Sequence, residues 1–456
     1  VLVATDGLFA QADRLADVSA ALGRDHRLVA VAEATGGYPL DELRHALRRS
    51  EGAVDGLRVA LWETAATYAE AERGIVLRQH AVARQVATSL SPVLRLLLLL
   101  GIVGAPLLSL IGAGLWGAVP DRGDGRAAEL RRWLMAHPEL VTSTEFVTAV
   151  RLFTTTADEW ARGLVGLGGG LVPSRGTVLG TATNAAGTIG LAQLLGMLRE
   201  TPVTVDRTAI RTVGAAPAGV GERLARIPEG DQVRIERYEA PGRPPRYIVY
   251  IGPTETFSPI AELEPWDLTS NVTGVAGRSA GSFRATEMAM RDAGIGPDDE
   301  VQFVGFSQGG LVATLLAAAP EWNAVGLETH GAPAGNIRLP PGLAGIAIRN
   351  SDDFVPALAG PQLDTSLLQI EREAFPAGRP IPTDMAAPAH QRVSYVETAA
   401  AVDAAESSLV RDQISAMDGF TAEYTTTGNA TITSFTYHAE RLDPPPPARE
   451  PPNGGV

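Results

Sequence analysis

The apolar run Val301-Gln302-Phe303-Val304-Gly305 leads straight into Phe306-Ser307-Gln308-Gly309-Gly310, and the uncharged stretch from Leu311 to Ala319 follows at once. A strand and a helix that are apolar all round must both be buried, and a sheet covered by helices on its faces buries both. The turn between them has the form G-x-S-x-G. In a strand–turn–helix setting its two glycines let strand and helix approach closely, leaving the serine projecting at the carboxyl end of the sheet. The helix N-terminus adds a positive dipole beneath the serine oxygen. Ser307 is therefore the candidate nucleophile, set against the blander reading of a tight turn that merely contains a serine.

From about Arg234 onward the pattern is β-type. VRIERY, RYIVYI, VQFVGF, AVGLETH and GIAIRN read as strands, with helices expected over 279–293 and 309–319. This alternation reads as a parallel sheet with crossover helices, so the predicted fold class is α/β with a doubly wound, mostly parallel sheet. TITSFTYHAER alternates like one more strand, expected at a sheet edge.

A serine hydroxyl is a poor nucleophile without a base, and the base needs an orienting acid. GIAIRN ends in Ser351-Asp352-Asp353-Phe354-Val355-Pro356, which offers two candidate acids. His390 follows the loop GRPIPTDMAAPA and precedes RVSYV, read as a short strand. Of the seven histidines, His390 is the preferred base and His438 its competitor. His330 is expected to shape a pocket wall, whereas His26, His45, His80 and His137 fall in helical sequence and read as solvated or capping residues. The order Ser, Asp, His along the chain is that of an α/β-hydrolase. An oxyanion hole needs two N–H groups aimed at the developing charge. One is expected from Gln308, the residue after the nucleophile. The other is expected from the loop Gly252-Pro253-Thr254 after RYIVYI, where Pro253 has no N–H and Thr254 is the candidate by its amide or its hydroxyl.

Two further segments carry a resemblance. Thr329-His330-Gly331-Ala332-Pro333-Ala334-Gly335-Asn336 resembles the T-x-G-x-P-x-x-G-N loop of the class 3 lipases, and Asp353-Phe354-Val355-Pro356 resembles their D-x-V-P, whose aspartate is the triad acid. The elbow GFSQGG is closer to bacterial esterases and cutinase-like enzymes than to the GHSLGG usual in those lipases. The matching motifs cover about residues 245 to 400. The resemblance implies Ser307 as nucleophile, Asp353 as acid and His390 as base.

The chain has 456 residues, 45% of them hydrophobic and 20% charged, enough for about two or three domains. It has no cysteine, which excludes disulfides, thiolate nucleophiles and Cys-ligated zinc. It has no lysine either, which excludes Schiff-base chemistry and a P-loop. The net charge of −14 argues against a nucleic-acid partner. No cofactor and no metal are expected.

The first residue is Val1, so translation is expected to begin upstream or at an alternative start codon; no charged-then-apolar signal peptide opens the chain. Leu8, Leu15, Leu22 and Val29 form a narrow stripe, and after Gly36-Gly37-Tyr38-Pro39 a second helix runs through Leu43, Leu47, Val54, Leu57, Leu61, Ala65 and Tyr68. This hairpin is similar to the WXG-type substrates of the actinobacterial type VII secretion system, and Tyr68-Ala69-Glu70-Ala71-Glu72 fits their Y-x-x-x-D/E export signal. A dimerising amphipathic hairpin is the plainer reading. Residues 96–120 contain no charge, long enough for a membrane span or for a buried helical hairpin broken at Pro106. Residues 126–200 read as helical, with Leu130, Leu134, Phe146, Val150 and Phe153 on stripes, and the Gly-rich stretch 166–187 as a flexible connection.

The expected organisation is a helical hairpin over 1–90, an apolar helical region over 91–200, a hydrolase domain over 201–443 and a proline-rich tail over 444–456. The expected function is a serine esterase or lipase acting on ester or lipid substrates, with membrane or secretion-machinery contacts through the N-terminal helices and a cell-envelope or secreted address. The alternative is a non-catalytic, exported or membrane-associated interaction protein on a hydrolase scaffold.

Overall fold

The computed structural model describes residues 198–256, 261–362, 366–425 and 430–442, the stretches 45–60 and 135–144, and scattered positions from 14 to 25, at 63 and from 146 to 151. The chain divides into two compact units, Val1–Val82 and Ala83–Val456.

In the first unit residues 45–60 form a helix with mostly exposed side chains; on its apolar stripe Leu57 is 54% exposed, while Leu47 and Val54 are half-buried. The type VII export reading, membrane association, secretion-machinery contact, and the envelope or secreted address built on them are corrected here. Among the described residues no helix is long and apolar enough to cross a membrane. The physical reason is plain in the 45–60 helix, where Arg48, Arg49, Glu51, Asp55 and Arg58 put charge on nearly every turn; charged side chains are costly in hydrocarbon. The uncharged run 96–120, the turn at 36–39, the motif at 68–72, the Gly-rich stretch 166–187 and the tail 444–456 lie outside the described residues.

Among its described residues the second unit is built on an eight-stranded sheet. Its elements are β1 (Val203–Val213), α1 (Gly219–Arg226), β2 (Val233–Glu239), β3 (Arg246–Ile251), α2 (Leu268–Val275), α3 (Gly281–Asp292), β4 (Glu300–Phe306), α4 (Gln308–Ala318), β5 (Asn323–His330), β6 (Ala344–Asn350), β7 (Leu368–Arg372), α5 (Arg392–Asp403), α6 (Ser408–Thr425) and β8 (Thr431–Arg441). The spatial order is β1-β8-β2-β3-β4-β5-β6-β7. Strands β3 to β7 are parallel, and β1, β8 and β2 join antiparallel at one end. This is a doubly wound α/β sheet, mostly parallel and partly mixed.

Both faces are covered, which is why the central strands are apolar in both phases. Tyr247, Val249, Ile251, Val301 and Phe303 point to one face, where α3 and α4 supply Ala285, Ala289, Val312 and Leu316. Ile248, Tyr250, Val304 and Phe306 point to the other, where Val220 and Leu224 of α1, Tyr395 and Ala399 of α5 and Phe420 of α6 meet them. Phe146 and Val150, on the stripe seen in the sequence, and Val147 beside them are buried against Phe354 and Ala357, with the Phe146 and Phe354 rings 5.6 Å apart and edge-on.

Two local expectations change. RVSYV opens helix α5: after the extended residue Gln391, Ser394, Tyr395, Thr398, Ala399 and Val402 are buried at helical spacing. His438 is on β8, which lies between β1 and β2 and so is not a sheet edge.

Candidate active site

The parallel strands end on one side, the side where α/β sheets bind ligands. At the end of β4 the chain turns through Ser307 with φ 55° and ψ −121°, a left-handed conformation that a serine rarely adopts. Neighbouring backbone holds it there. The Ser307 N–H donates to the His330 carbonyl at 2.8 Å, and the Ser307 carbonyl accepts from Gly310 N at 3.0 Å and Leu311 N at 3.2 Å as α4 begins. The motif glycines are steric necessities: a Cβ on Gly305 would overlap the Gly309 carbonyl, and one on Gly309 would overlap the Ile251 carbonyl.

His390 comes from the turn Pro388–His390 before α5, and Asp353 from the loop after β6. The Ser307 Oγ lies 2.8 Å from His390 Nε2, and His390 Nδ1 lies 2.6 Å from Asp353 Oδ2. Because a carboxylate only accepts, Nδ1 carries the ring proton and Nε2 is left to accept from the serine hydroxyl. Asp353 is 2% exposed, and three donors satisfy it: His390, the Val355 N–H at 2.9 Å on Oδ1, and the Tyr395 hydroxyl at 2.8 Å on Oδ2. Asn350 anchors the histidine turn, donating from Nδ2 to the Ala389 carbonyl at 2.7 Å. The Phe306 ring stacks on His390, with centroids 5.4 Å apart and planes 23° apart.

The competing residues have other partners. Asp352 accepts the Ala374 and Phe375 amides at 2.9 Å each, tying the acid loop to the chain beyond β7. His330 is buried with Nε2 3.0 Å from Glu328, and Arg223 donates to that same carboxylate at 2.7 Å. Burial pushes the Glu328 carboxyl up, but Arg223 and His330 outweigh it and hold it below the usual carboxylate range. His438 Nε2 is 3.9 Å from Glu440. His26 and His80 lie outside the described residues.

Gln308 opens α4, and Thr254 lies in the loop after β3. Asn271 of α2 lies between them, donating to Thr254 Oγ1 at 2.9 Å and reaching Gln308 Oε1 at 3.4 Å. Sequence reasoning missed Asn271 and Tyr395. A helical reading of RVSYV would have turned Tyr395 toward the sheet with Ala399, whereas nothing in LTSNVTGV singles out the asparagine.

Among the described residues no group of three or more His, Asp or Glu side chains converges to hold a metal ion. Comparison of the chain with protein-family models, curated proteins and solved structures returns no match in any of the three. The geometry speaks without them: Ser307, His390 and Asp353 form a Ser-His-Asp triad at the carboxyl edge of a doubly wound sheet, the arrangement of a serine hydrolase of α/β-hydrolase type.

Proposed function

We propose that the chain is a carboxylic ester hydrolase working through an acyl-enzyme. The observation that carries this is the unbroken line of hydrogen bonds from Ser307 through His390 to Asp353. As Ser307 Oγ bonds to the ester carbonyl carbon, its proton passes to His390 Nε2, and buried Asp353 stabilises the imidazolium. When the carbon–alkoxy bond breaks, the same proton goes to the leaving oxygen. Water then repeats the sequence on the acyl-serine, releasing the acid and restoring the Ser307 hydroxyl.

The oxyanion would be received by the Gln308 and Thr254 N–H groups. The Thr254 hydroxyl is a further donor beside its amide: it already accepts from Asn271, so its own proton is left to donate. Within the hydrolases the loop 329–336 and the segment Asp353–Pro356 favour a relative of the class 3 lipases. The loop is held much as a substrate wall must be: Asn336 Nδ2 donates to the Val275 carbonyl at 3.0 Å. A fluorophosphonate probe, which reacts only with an activated serine, should label the chain once, at Ser307. Absence of labelling would favour the non-catalytic scaffold instead.

A further inference from the structure

From these contacts we infer that Tyr395 is a positioning residue that sets the orientation and basicity of the Asp353–His390 pair, an inference that rests on the hydrolase reading above. Tyr395 is on α5, one helical turn after the His390 turn, and is fully buried. Its hydroxyl accepts from the Asn350 N–H at 3.1 Å and lies 2.8 Å from Asp353 Oδ2. With a lone pair engaged by Asn350, the single hydroxyl proton is directed at Asp353. That oxygen is the one that also takes the His390 Nδ1 proton at 2.6 Å. Two donors therefore share one carboxylate oxygen, and whatever charge Tyr395 draws is withdrawn from His390.

The ring cannot swing away. It lies edge-on to His390 at 6.2 Å and to His330 at 6.4 Å, and tilted against Phe306 at 5.4 Å. Gly331, at φ 61°, leaves room for it: a Cβ there would sit 2.9 Å from the tyrosine oxygen. The hydroxyl remains a donor throughout catalysis, because burial and the adjacent Asp353 charge push the phenol well above its ordinary range.

The charges facing this group are few and mostly neutralised. Asp352, on the acid loop, is bonded to the Ala374 and Phe375 amides. Glu328 and His330 of β5 are paired with each other, and Arg223 of α1 compensates Glu328. Arg372 of β7 reaches Thr398, one turn along α5. None of these bonds Asp353 Oδ2, so removal of the tyrosine hydroxyl falls on His390 alone. A carboxylate that has lost one donor attracts the remaining proton more strongly, which stabilises the imidazolium and loosens the acid.

The test is the Tyr395→Phe variant of the full chain, assayed with p-nitrophenyl acetate from pH 5 to 9, together with the low-field NMR signal of the His390 Nδ1 proton in the absence of substrate. The expected result is a kcat about tenfold lower with KM little changed. The acid limb of the profile and the NMR midpoint should both move to higher pH. Wild-type kcat with an unmoved limb, or a change confined to KM, would overturn the inference. If the phenylalanine variant fails to fold, 3-fluorotyrosine at position 395, a stronger donor of nearly the same shape, should move the limb and the signal to lower pH; no movement overturns it. Should the wild-type protein hydrolyse no ester, the hydrolase reading fails by itself, and the NMR signal still decides the role of Tyr395.

Discussion

The ring of Phe306, immediately before the nucleophile, lies nearly parallel to the ring of His390, in the turn that leads into α5. Two segments far apart in the chain thus meet at the reacting atoms, and an apolar strand residue sets the plane in which the base can accept a proton. Phe306→Leu keeps most of the buried volume and loses the flat surface. Steady-state kinetics should show kcat reduced about tenfold while the melting temperature falls only a few degrees. An unchanged kcat would mean that Asp353 and Asn350 suffice to hold the imidazole.

The elbow glycines make a different kind of prediction, one about folding. Gly309→Ala would press a Cβ into the Ile251 carbonyl, which is backbone and cannot step aside. A loss of about 3 kcal/mol or more in unfolding free energy is expected. Urea denaturation of the purified variant measures it; wild-type stability would show that β3 and α4 have slack the structure does not display.

Asp352 and Asp353 are adjacent but have separable roles. Asp353→Asn should keep the fold and lower kcat by roughly a thousandfold, because the amide no longer holds the imidazole in the tautomer it needs. Asp352→Asn replaces an acceptor of two backbone amides, so it should lower the melting temperature and leave most of the turnover. Exchange of these two phenotypes would move the triad acid to Asp352.

Asp267 makes stability depend on pH. Its Oδ1 caps α2 through the Ser270 N–H at 2.8 Å and meets Arg441 at 3.0 Å, while Oδ2 is buried with no hydrogen-bond partner among the described residues. Burial pushes this carboxyl up to about 6, with Arg441 pulling it back only in part. A folded value above the unfolded one means that the contribution is present below about pH 4 and lost as pH rises to about 6. The loss is on the order of 3 kcal/mol. Relative to Asp267→Asn, wild-type unfolding free energy should therefore fall across this window. A constant difference from pH 4 to 7 would show that the carboxyl is charged throughout.

Much of the sheet was readable because the central strands are buried on both faces, and RYIVYI and VQFVGF leave no other reading. The elbow was readable for the same reason, since Gly305 and Gly309 are demanded by backbone contacts that any side chain would break. The first strand and α1 escaped because Val203–Val213 carries Asp206, Arg207 and Arg211 on an exposed edge and shows no clean alternation. RVSYV reads equally well in either period, and what decides it is tertiary: Tyr395 must turn inward to meet Asn350 and Asp353. Asn271 has its meaning only across the gap between β3 and α4, which no spacing along the chain encodes.

The proposed chemistry turns on Ser307 being an activated nucleophile. Hydrolysis of p-nitrophenyl butyrate by the wild-type chain, compared with Ser307→Ala at matched folded concentration, tests it most directly. The wild type should turn over and the variant should lose at least about a thousandfold, with the fold unchanged by circular dichroism. Ordinary turnover by Ser307→Ala would contradict that role for Ser307.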